Sequence, residues 1–400
     1  MLTTAVGRPV YRIGPRPITI FADTGERLET IDESETVAIA RRFVGSSTAS
    51  VRYETLVTSP DQWTLTQRRF LPLHKVQLDD SAGTELYISP RLGDVVVHTT
   101  RRTRALAWIS AIPHWLYFTS LRANDWLWRQ LVLGVSALAT LGAMLGLLLA
   151  FVQFSVRYRG WLRWHYRAGV VFGVFVVTWS FSGLLSMEPW FWARDRAGTP
   201  IEDVTRVLEG DGLDVSAFPE SEGPRWTEVL DGIEAKEIEF LLIQGEPHLA
   251  VTNSKGEDRV FRVSARAETA VPIPEDSLIA LVKRASAGIA ILEITVLNHY
   301  DAYYYARSSL PLPVLRVKFA DRDRTWLYID PLRGRIVARF NRRARVQRWL
   351  YNGLHSLDFP YLYQRRPLWD IIVVSLCVGG ALLSFIGAVL AGRRVYRSIR

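Results

Sequence analysis

The sequence predicts an α+β membrane protein with three transmembrane helices and two copies of one extracytoplasmic α+β unit. Two observations predict this: three uncharged apolar runs, and a repeat with a period of 241 residues. The chain has 400 residues, 14 Trp and a formal charge of +9. Leu131 to Val152, Ala168 to Met187 and Ile371 to Gly392 carry no charged side chain. Each is about as long as the ~20 residues that a helix needs to cross a bilayer core of roughly 30 Å.

The short loops set the expected orientation. Arg157, Arg159, Arg163 and Arg167 lie between the first two spans with no acid among them, and "RRVYRSIR" follows the third. Both segments are expected in the cytoplasm, which puts the two large polar regions outside it. Met1 to Ile20 has no apolar core of the kind an export signal needs, although over a hundred residues precede the first span.

The repeat bears on that conflict. Shifting the chain by 241 residues aligns Leu71 to Ala150 with Leu312 to Ala391 without a gap, and about a third of the positions are identical. "LYISP" at Leu86 falls on "LYIDP" at Leu327, Gly93 on Gly334, and Arg101-Arg102 on Arg342-Arg343. A Trp-x5-His-x3-Phe pattern occurs twice, as Trp108, His114, Phe118 and as Trp349, His355, Phe359. A fixed-period duplication of this length means two copies of one structural unit. In the second copy a span precedes the polar unit and another follows it; in the first copy only the following span is present. Four transmembrane helices are therefore expected, of which the first is missing.

Each polar unit reads as a short helix against an antiparallel sheet. Asp32 to Phe43 and Pro274 to Ala285 open with acids and continue with apolar residues at helical spacing. "TELYISPRLGDVVVHT" and "RTWLYIDPLRGRIVARF" each hold two apolar runs around a Pro and a Gly, which predicts a hairpin. Ala193 to Pro224, rich in Gly, Pro and acid, is expected to be an irregular lead-in. The organisation that follows is a first extracytoplasmic domain over 1–105, an interfacial segment over 106–130, a transmembrane helix over 131–152, a cytoplasmic loop over 153–167 and a second helix over 168–187. A second extracytoplasmic domain over 188–345, an interfacial segment over 346–370, a third helix over 371–392 and a cytoplasmic tail over 393–400 complete it.

The span opened by "WHYRAGVVFGVFVVTWSFSGLL", the unit containing "YIDPLRGRIV", and the Arg-rich "RWLYNGLHSLDF" before an apolar helix together resemble the PepSY-associated transmembrane family. The resemblance covers nearly the whole chain, and the order of the parts carries it more than any one motif. It implies two PepSY-like domains in the periplasm and a multi-pass protein of the bacterial inner membrane. The family includes iron-uptake proteins, some of them siderophore reductases holding two b-type haems among four helices. The sequence departs from that pattern in lacking the first helix, which affects one of the two haem sites.

A b-type haem held by the chain alone needs axial ligands such as two facing imidazoles. Duplication offers His114 and His355 as such a pair, because a pseudo-two-fold axis brings equivalent residues together. They precede their spans by about 16 residues, in segments that read as amphipathic helices at the outer interface with aromatic neighbours. The alternative is that both are solvated interfacial histidines beside aromatic anchors. His165 opens the second span, with Gly169 and Gly173 on its helix face; these leave room for a flat macrocycle or serve helix packing. The family's pattern places a haem ligand at the start of this helix, and the repeat puts its partner before Met1, in an upstream helix or a separate small subunit. His74, His98, His248 and His299 read as surface or sheet residues. Tyr300 to Tyr305 form either a substrate face or, as aromatics of a strand more often do, a core.

The only cysteine, Cys377, lies inside the third apolar run, which excludes an intrachain disulfide, a thiolate cluster and covalent c-type haem attachment. The chain has no dinucleotide fingerprint, P-loop, Gly-x-Ser-x-Gly or His-Glu-x-x-His, so a separate, unidentified donor must supply any electrons. The basic charge clusters near the spans and suits anionic lipid rather than nucleic acid. Two function classes follow. One is a haem b oxidoreductase passing electrons outward to a ferric siderophore; the other is a non-enzymatic membrane protein whose polar domains bind a peptide, a peptidase or an envelope partner.

Overall fold

The computed structural model describes residues 1–14, 17–46, 49–153, 158–189, 199–210, 212–213, 218, 232–263, 268–286, 288–305 and 310–400. The chain divides into two compact units, each discontinuous in sequence. One comprises Met1–Trp128, Val204–Leu281 and Pro331–Arg335; the other comprises Arg129–Asp203, Val282–Asp330 and Ile336–Arg400. Arg157 and most of the expected lead-in from Ala193 to Pro224 lie outside the described residues. Within that lead-in, Thr199–Glu209 is helical rather than irregular.

The first unit opens with an antiparallel meander of Leu2–Ala5 (β1), Arg8–Ile13 (β2) and Ile18–Phe21 (β3). Helix α1 (Glu33–Phe43) follows. Its start is fixed by a capping box: the Asp32 carboxylate accepts the Glu35 amide at 2.8 Å, and the Glu35 carboxylate accepts the Asp32 amide at 2.9 Å. Glu33 and Glu35 in the first turn and Arg41 and Arg42 in the last complement the helix dipole. The helix packs on a four-stranded antiparallel sheet of Val51–Val57 (β4), Leu73–Leu78 (β5), Glu85–Ser89 (β6) and Asp94–Thr99 (β7). Ile31, Ala40, Val76, Leu86 and Ile88 close the core between them. His74 is buried in β5, where its Nε2 meets the Ile31 carbonyl at 3.1 Å and its Nδ1 meets the Tyr53 hydroxyl at 2.9 Å. A second sheet in this unit was not legible in the sequence. Ala235–Ile243 (β8), Glu246–Asn253 (β9), Asp258–Arg262 (β10) and Glu268–Thr269 (β11) join the meander in the order β11-β10-β9-β8-β1-β2-β3.

The second unit contains a four-stranded antiparallel sheet of Ile291–Leu297 (β12), Val314–Phe319 (β13), Trp326–Asp330 (β14) and Arg335–Phe340 (β15), of which only Arg335 belongs to the first unit. It has the same strand order as β4 to β7. The pairings His74↔Ile88, Lys75↔Tyr87, Val76↔Leu86 and Gln77↔Glu85 recur as Leu315↔Ile329, Arg316↔Tyr328, Val317↔Leu327 and Lys318↔Trp326. Every residue has moved by 241. The turns after β6 and β14 both use a glycine at positive φ, Gly93 at 61° and Gly334 at 56°, a conformation open to glycine without steric cost. Of Tyr300 to Tyr305, Tyr303 and Tyr304 belong to the core beside this sheet, while Tyr300 is exposed. Tyr304 is fully buried and stacks on Tyr328 with centroids 4.9 Å apart. Asp301 accepts hydrogen bonds from the amides of Tyr303 and Tyr304, from Arg316 at 2.8 Å and from the Tyr328 hydroxyl at 3.0 Å.

Among the described residues three helices are long and apolar enough to cross a membrane: α2 (Asp125–Val152), α3 (Gly160–Ser186) and α5 (Leu368–Ile399); α4 is Glu275–Ala285. Each runs beyond its uncharged stretch, because Arg and Trp at helix ends cover apolar surface with their stems while their polar tips stay wet. Helices α2 and α3 are antiparallel neighbours. Arg129 donates to the carbonyls of Met187 and Glu188 at one end, and the Tyr166 hydroxyl donates to the Ala150 carbonyl at the other. Helices α3 and α5 make the larger helix contact.

Candidate functional site

The seam between α3 and α5 consists of glycines of one helix facing bulky side chains of the other. Gly169 meets Leu383, Gly379 meets Phe172, Gly380 meets Trp179 and Val176, and Gly387 meets His165. On α3 these contacts fall at 165, 169, 172, 176 and 179, alternating steps of four and three, which is the spacing of helices packed at a shallow angle. Gly173 is buried against Leu147 of α2. Gly173 therefore serves helix packing against α2, and Gly169 lies at van der Waals distance from Leu383 of α5.

His165 sits near the start of α3 with its Cε1 3.2 Å from where a Cβ on Gly387 would lie. Its Nδ1 is buried and has no hydrogen-bond partner among the described residues. An unpartnered buried imidazole nitrogen costs free energy, about 1–3 kcal/mol, so the position is one that a Lewis acid or a water would stabilise.

His355 lies at the other end of α3. The segment that carries it was expected to be one amphipathic helix, but it is a series of short turns. Arg342–Gln347 is α-helical, with Asn341 capping the Ala344 amide at 2.7 Å. Arg348–Gly353 widens to a π-helical turn, Leu354–Ser356 returns to α, and Leu357 ends the run in the left-handed region at φ 50°. The wide turn rotates the following residues, a device frequent at functional sites. The His355 Nδ1 lies 3.1 Å from Ser182 Oγ and 3.3 Å from the Trp179 carbonyl. Ser182 Oγ itself donates to that carbonyl at 3.1 Å, which leaves its lone pairs for the imidazole. Both neighbours of Nδ1 accept, so Nδ1 carries the proton and Nε2 is the basic nitrogen. Trp369, at the start of α5, donates its indole N–H to the Leu357 carbonyl at 3.1 Å and ties the turn to the helix.

His114 belongs to the first unit, in Ala111–Trp115, and is exposed, with its ring edge-on to Trp115 at 5.7 Å. Its setting repeats that of His355: Leu116 ends the turn at φ 51°, and the Trp128 indole N–H donates to the Trp115 carbonyl at 2.8 Å. His165 and His355 are both held on α3 but not together. Ser182 follows His165 by 17 residues, so the two imidazoles lie roughly 25 Å apart along the helix and do not share one ion. His248 is buried in β9 with its Nδ1 2.9 Å from the Glu246 carbonyl, and His299 and His98 are exposed.

Ser182, the Trp179 carbonyl and the buried pair Arg348 and Asp358 were not singled out from the sequence. The pair left a trace there: Ala107 and Tyr117 stand at the corresponding positions of the first copy, so a matched acid and base were gained or lost. Ser182 left none, because a serine in an apolar run does not reveal which segment it faces. Tyr305, which donates to Asp358 at 2.8 Å, has its phenol pushed up by burial first and then by that carboxylate. The site as a whole is an α+β protein's long-helix bundle with one imidazole at each end of a central helix. Compared with protein-family models and with curated proteins, the chain matches none.

Proposed function

We propose that this chain is a b-type haem protein of the bacterial inner membrane, similar to the PepSY-associated transmembrane family, that passes electrons outward to ferric siderophores. In this reading α2, α3 and α5 span the bilayer and the two four-stranded sheets belong to duplicated periplasmic PepSY-like domains. Arg159, Arg163, Arg167 and the arginines after Gly392 face the cytoplasm. His355 and its repeat equivalent His114 are the ligands of an outer haem iron, and His165 is a ligand nearer the cytoplasmic face.

The observation that carries the reading is the hydrogen bonding of His355. Its Nδ1 faces Ser182 Oγ and the Trp179 carbonyl on α3, which favours the tautomer with a basic Nε2; an acceptor of this kind behind the ring is typical of ligating histidines. The buried, unpartnered Nδ1 of His165 at the far end of the same helix fits a second ligand. A spacing of roughly 25 Å along α3 suits two centres in a hydrocarbon core roughly 30 Å thick. A haem bound at these nitrogens supplies a one-electron couple; reduction of a ferric siderophore weakens the complex and frees the metal. The chain's own part is to hold the His355 imidazole in one tautomer, exclude water along the α3 and α5 seam and present the outer end to the acceptor.

The test is the reduced-minus-oxidised visible spectrum of purified full-length protein from haem-supplemented cells, with haem measured per polypeptide. The expected result is a low-spin b-type spectrum that His355→Ala removes, together with reoxidation of the reduced protein by a ferric hydroxamate or catecholate complex. A protein that inserts into membranes but binds no haem overturns the proposal and favours a non-enzymatic binding role for the polar domains.

A further inference from the structure

Arg348 and Asp358 bracket the turn that carries His355, and their side chains are only 3% and 1% exposed. The Arg348 guanidinium donates from Nε to the Ala302 carbonyl at 3.1 Å and from Nη2 to the Asp358 carbonyl at 2.8 Å; the Asp358 carboxylate lies 3.5 Å from Nη2. Its plane covers Tyr305 at 4.6 Å and Trp349 at 5.0 Å from the ring centroids. The Tyr305 hydroxyl donates to Asp358, and the Asp358 amide donates to the Asn352 carbonyl at 3.1 Å. The residue that opens the turn is thereby fastened to the residue that closes it. Nη1 of Arg348 has no partner among the described residues, so part of the desolvation cost of this cation is not offset.

Closing a turn does not require a buried charge. An ion pair out of water costs several kcal/mol per ion, and a well-packed apolar pair is often as stable or more so. The first copy illustrates this. At the same place it has Ala107 and Tyr117, and the Tyr117 carbonyl, equivalent to that of Asp358, accepts a neutral amide hydrogen bond from Gln62 at 2.6 Å. The same carbonyl is thus held in both copies, by an uncharged group near His114 and by a guanidinium near His355. The charge is peculiar to the copy whose histidine is fastened to α3.

We propose that Arg348, with Asp358 as its counter-ion, is a positioning residue for His355. It selects the one arrangement of the π-helical turn in which Nδ1 meets Ser182 and the Trp179 carbonyl and Nε2 is presented as the ligating nitrogen. This rests on the ligand role of His355 proposed above. A neutral clamp holds the turn closed but not in that single register; the guanidinium does both, because its planar donors engage Ala302 and Asp358 at once.

The experiment compares full-length wild type, Arg348→Met, Arg348→Lys and the double variant Arg348→Met with Asp358→Leu, all in lipid nanodiscs. The first readout needs no haem. Diethyl pyrocarbonate modifies unprotonated imidazole nitrogens, and peptide mass spectrometry gives the rate at His355 relative to exposed His98 in haem-free protein. His355 is half-buried in the closed turn, which limits reagent access to Nε2, so Arg348→Met is expected to raise that ratio severalfold as the turn samples other, more open registers. Arg348→Lys, which keeps the charge but not the fork, is expected to recover part of the protection. The double variant also removes the buried acid that Arg348→Met deprives of its counter-ion, and with it any general loss of stability. It is expected to keep its helical circular dichroism yet remain reactive at His355. Full protection in the double variant would mean that the pair is structural only, and overturns the proposal, as does an unchanged ratio in Arg348→Met. The second readout is the haem spectrum, where a fall from low-spin to mixed-spin absorption in Arg348→Met supports it and an unaltered spectrum overturns it. If wild type binds no haem, the ligand reading of His355 fails, and the modification rates alone decide whether Arg348 positions the imidazole.

Discussion

Replacing Gly379 by alanine tests the α3 and α5 seam, on which the placement of both His165 and His355 depends. A Cβ at Gly379 would overlap the Phe172 ring, with Cζ only 2.5 Å away. Carbon atoms in contact settle near 3.5–4.0 Å, so the ring or the helix must retreat by about 1 Å or more. Overpacking of this kind costs about 1–3 kcal/mol, and the better helix propensity of alanine offsets up to ~1 kcal/mol of it. A net loss of about 1–2 kcal/mol is expected. Gly142 on α2 is the control, because nothing lies within 4 Å of a Cβ there; Gly142→Ala should be neutral or slightly stabilising. Unfolding by titration with a denaturing detergent, followed by tryptophan fluorescence, measures both, and Trp179 on the same seam serves as a local reporter. Adding Phe172→Leu to Gly379→Ala should recover most of the loss. Equal effects of the two alanines would refute the seam and, with it, the contact between His165 and Gly387.

Two further outcomes follow from the polar network beside β12 to β14. The Glu293 carboxyl is held at about 2, below its ordinary 4.5, first by the hydrogen bond from Lys318 and then by Arg316. A depressed folded-state value stabilises the fold at neutral pH and loses that stabilisation as pH falls from about 4.5 towards 2. Glu293→Gln should therefore cost about 1 kcal/mol near pH 7, the carboxylate being partly exposed, and the gap to wild type should close by pH 2; a gap independent of pH would contradict this. Asp301→Ala removes the acceptor shared by Arg316, Tyr328 and two backbone amides, and should destabilise by about 3 kcal/mol or more in thermal unfolding; a loss within experimental error would show that water replaces it.

Several features were legible because they are local. Apolar content alone marks α2, α3 and α5, since a helix buried in lipid or in other helices need show no periodicity. Asp32 and Glu35 announce the start of α1 through groups three residues apart. The repeat carries register as well as resemblance, because β5 against β6 and β13 against β14 differ by the same 241 residues at every pair. What was not legible is non-local. Nothing in Leu2–Phe21 or Ala235–Thr269 states that they share a sheet, because an edge strand's backbone pairs with any strand of suitable shape. The amphipathic pattern around His355 was read as one helix; a π-helical turn has nearly the same side-chain periodicity over a few residues, and only packing reveals the added width.

The sequence by itself determined which segments are apolar, which acids open helices, and that His114 and His355 are equivalent, because each is a matter of residue identity and spacing along one strand of chain. Tertiary structure alone decided that the equivalents differ. His355 is fastened through Nδ1 to Ser182 and the Trp179 carbonyl, while His114 is exposed beside Trp115. It also decided that Gly173 packs α3 against α2 and that the Nδ1 of His165 is buried without a partner among the described residues. A histidine's tautomer and basic nitrogen depend on which groups surround it in space, and those groups lie up to 176 residues away along the chain.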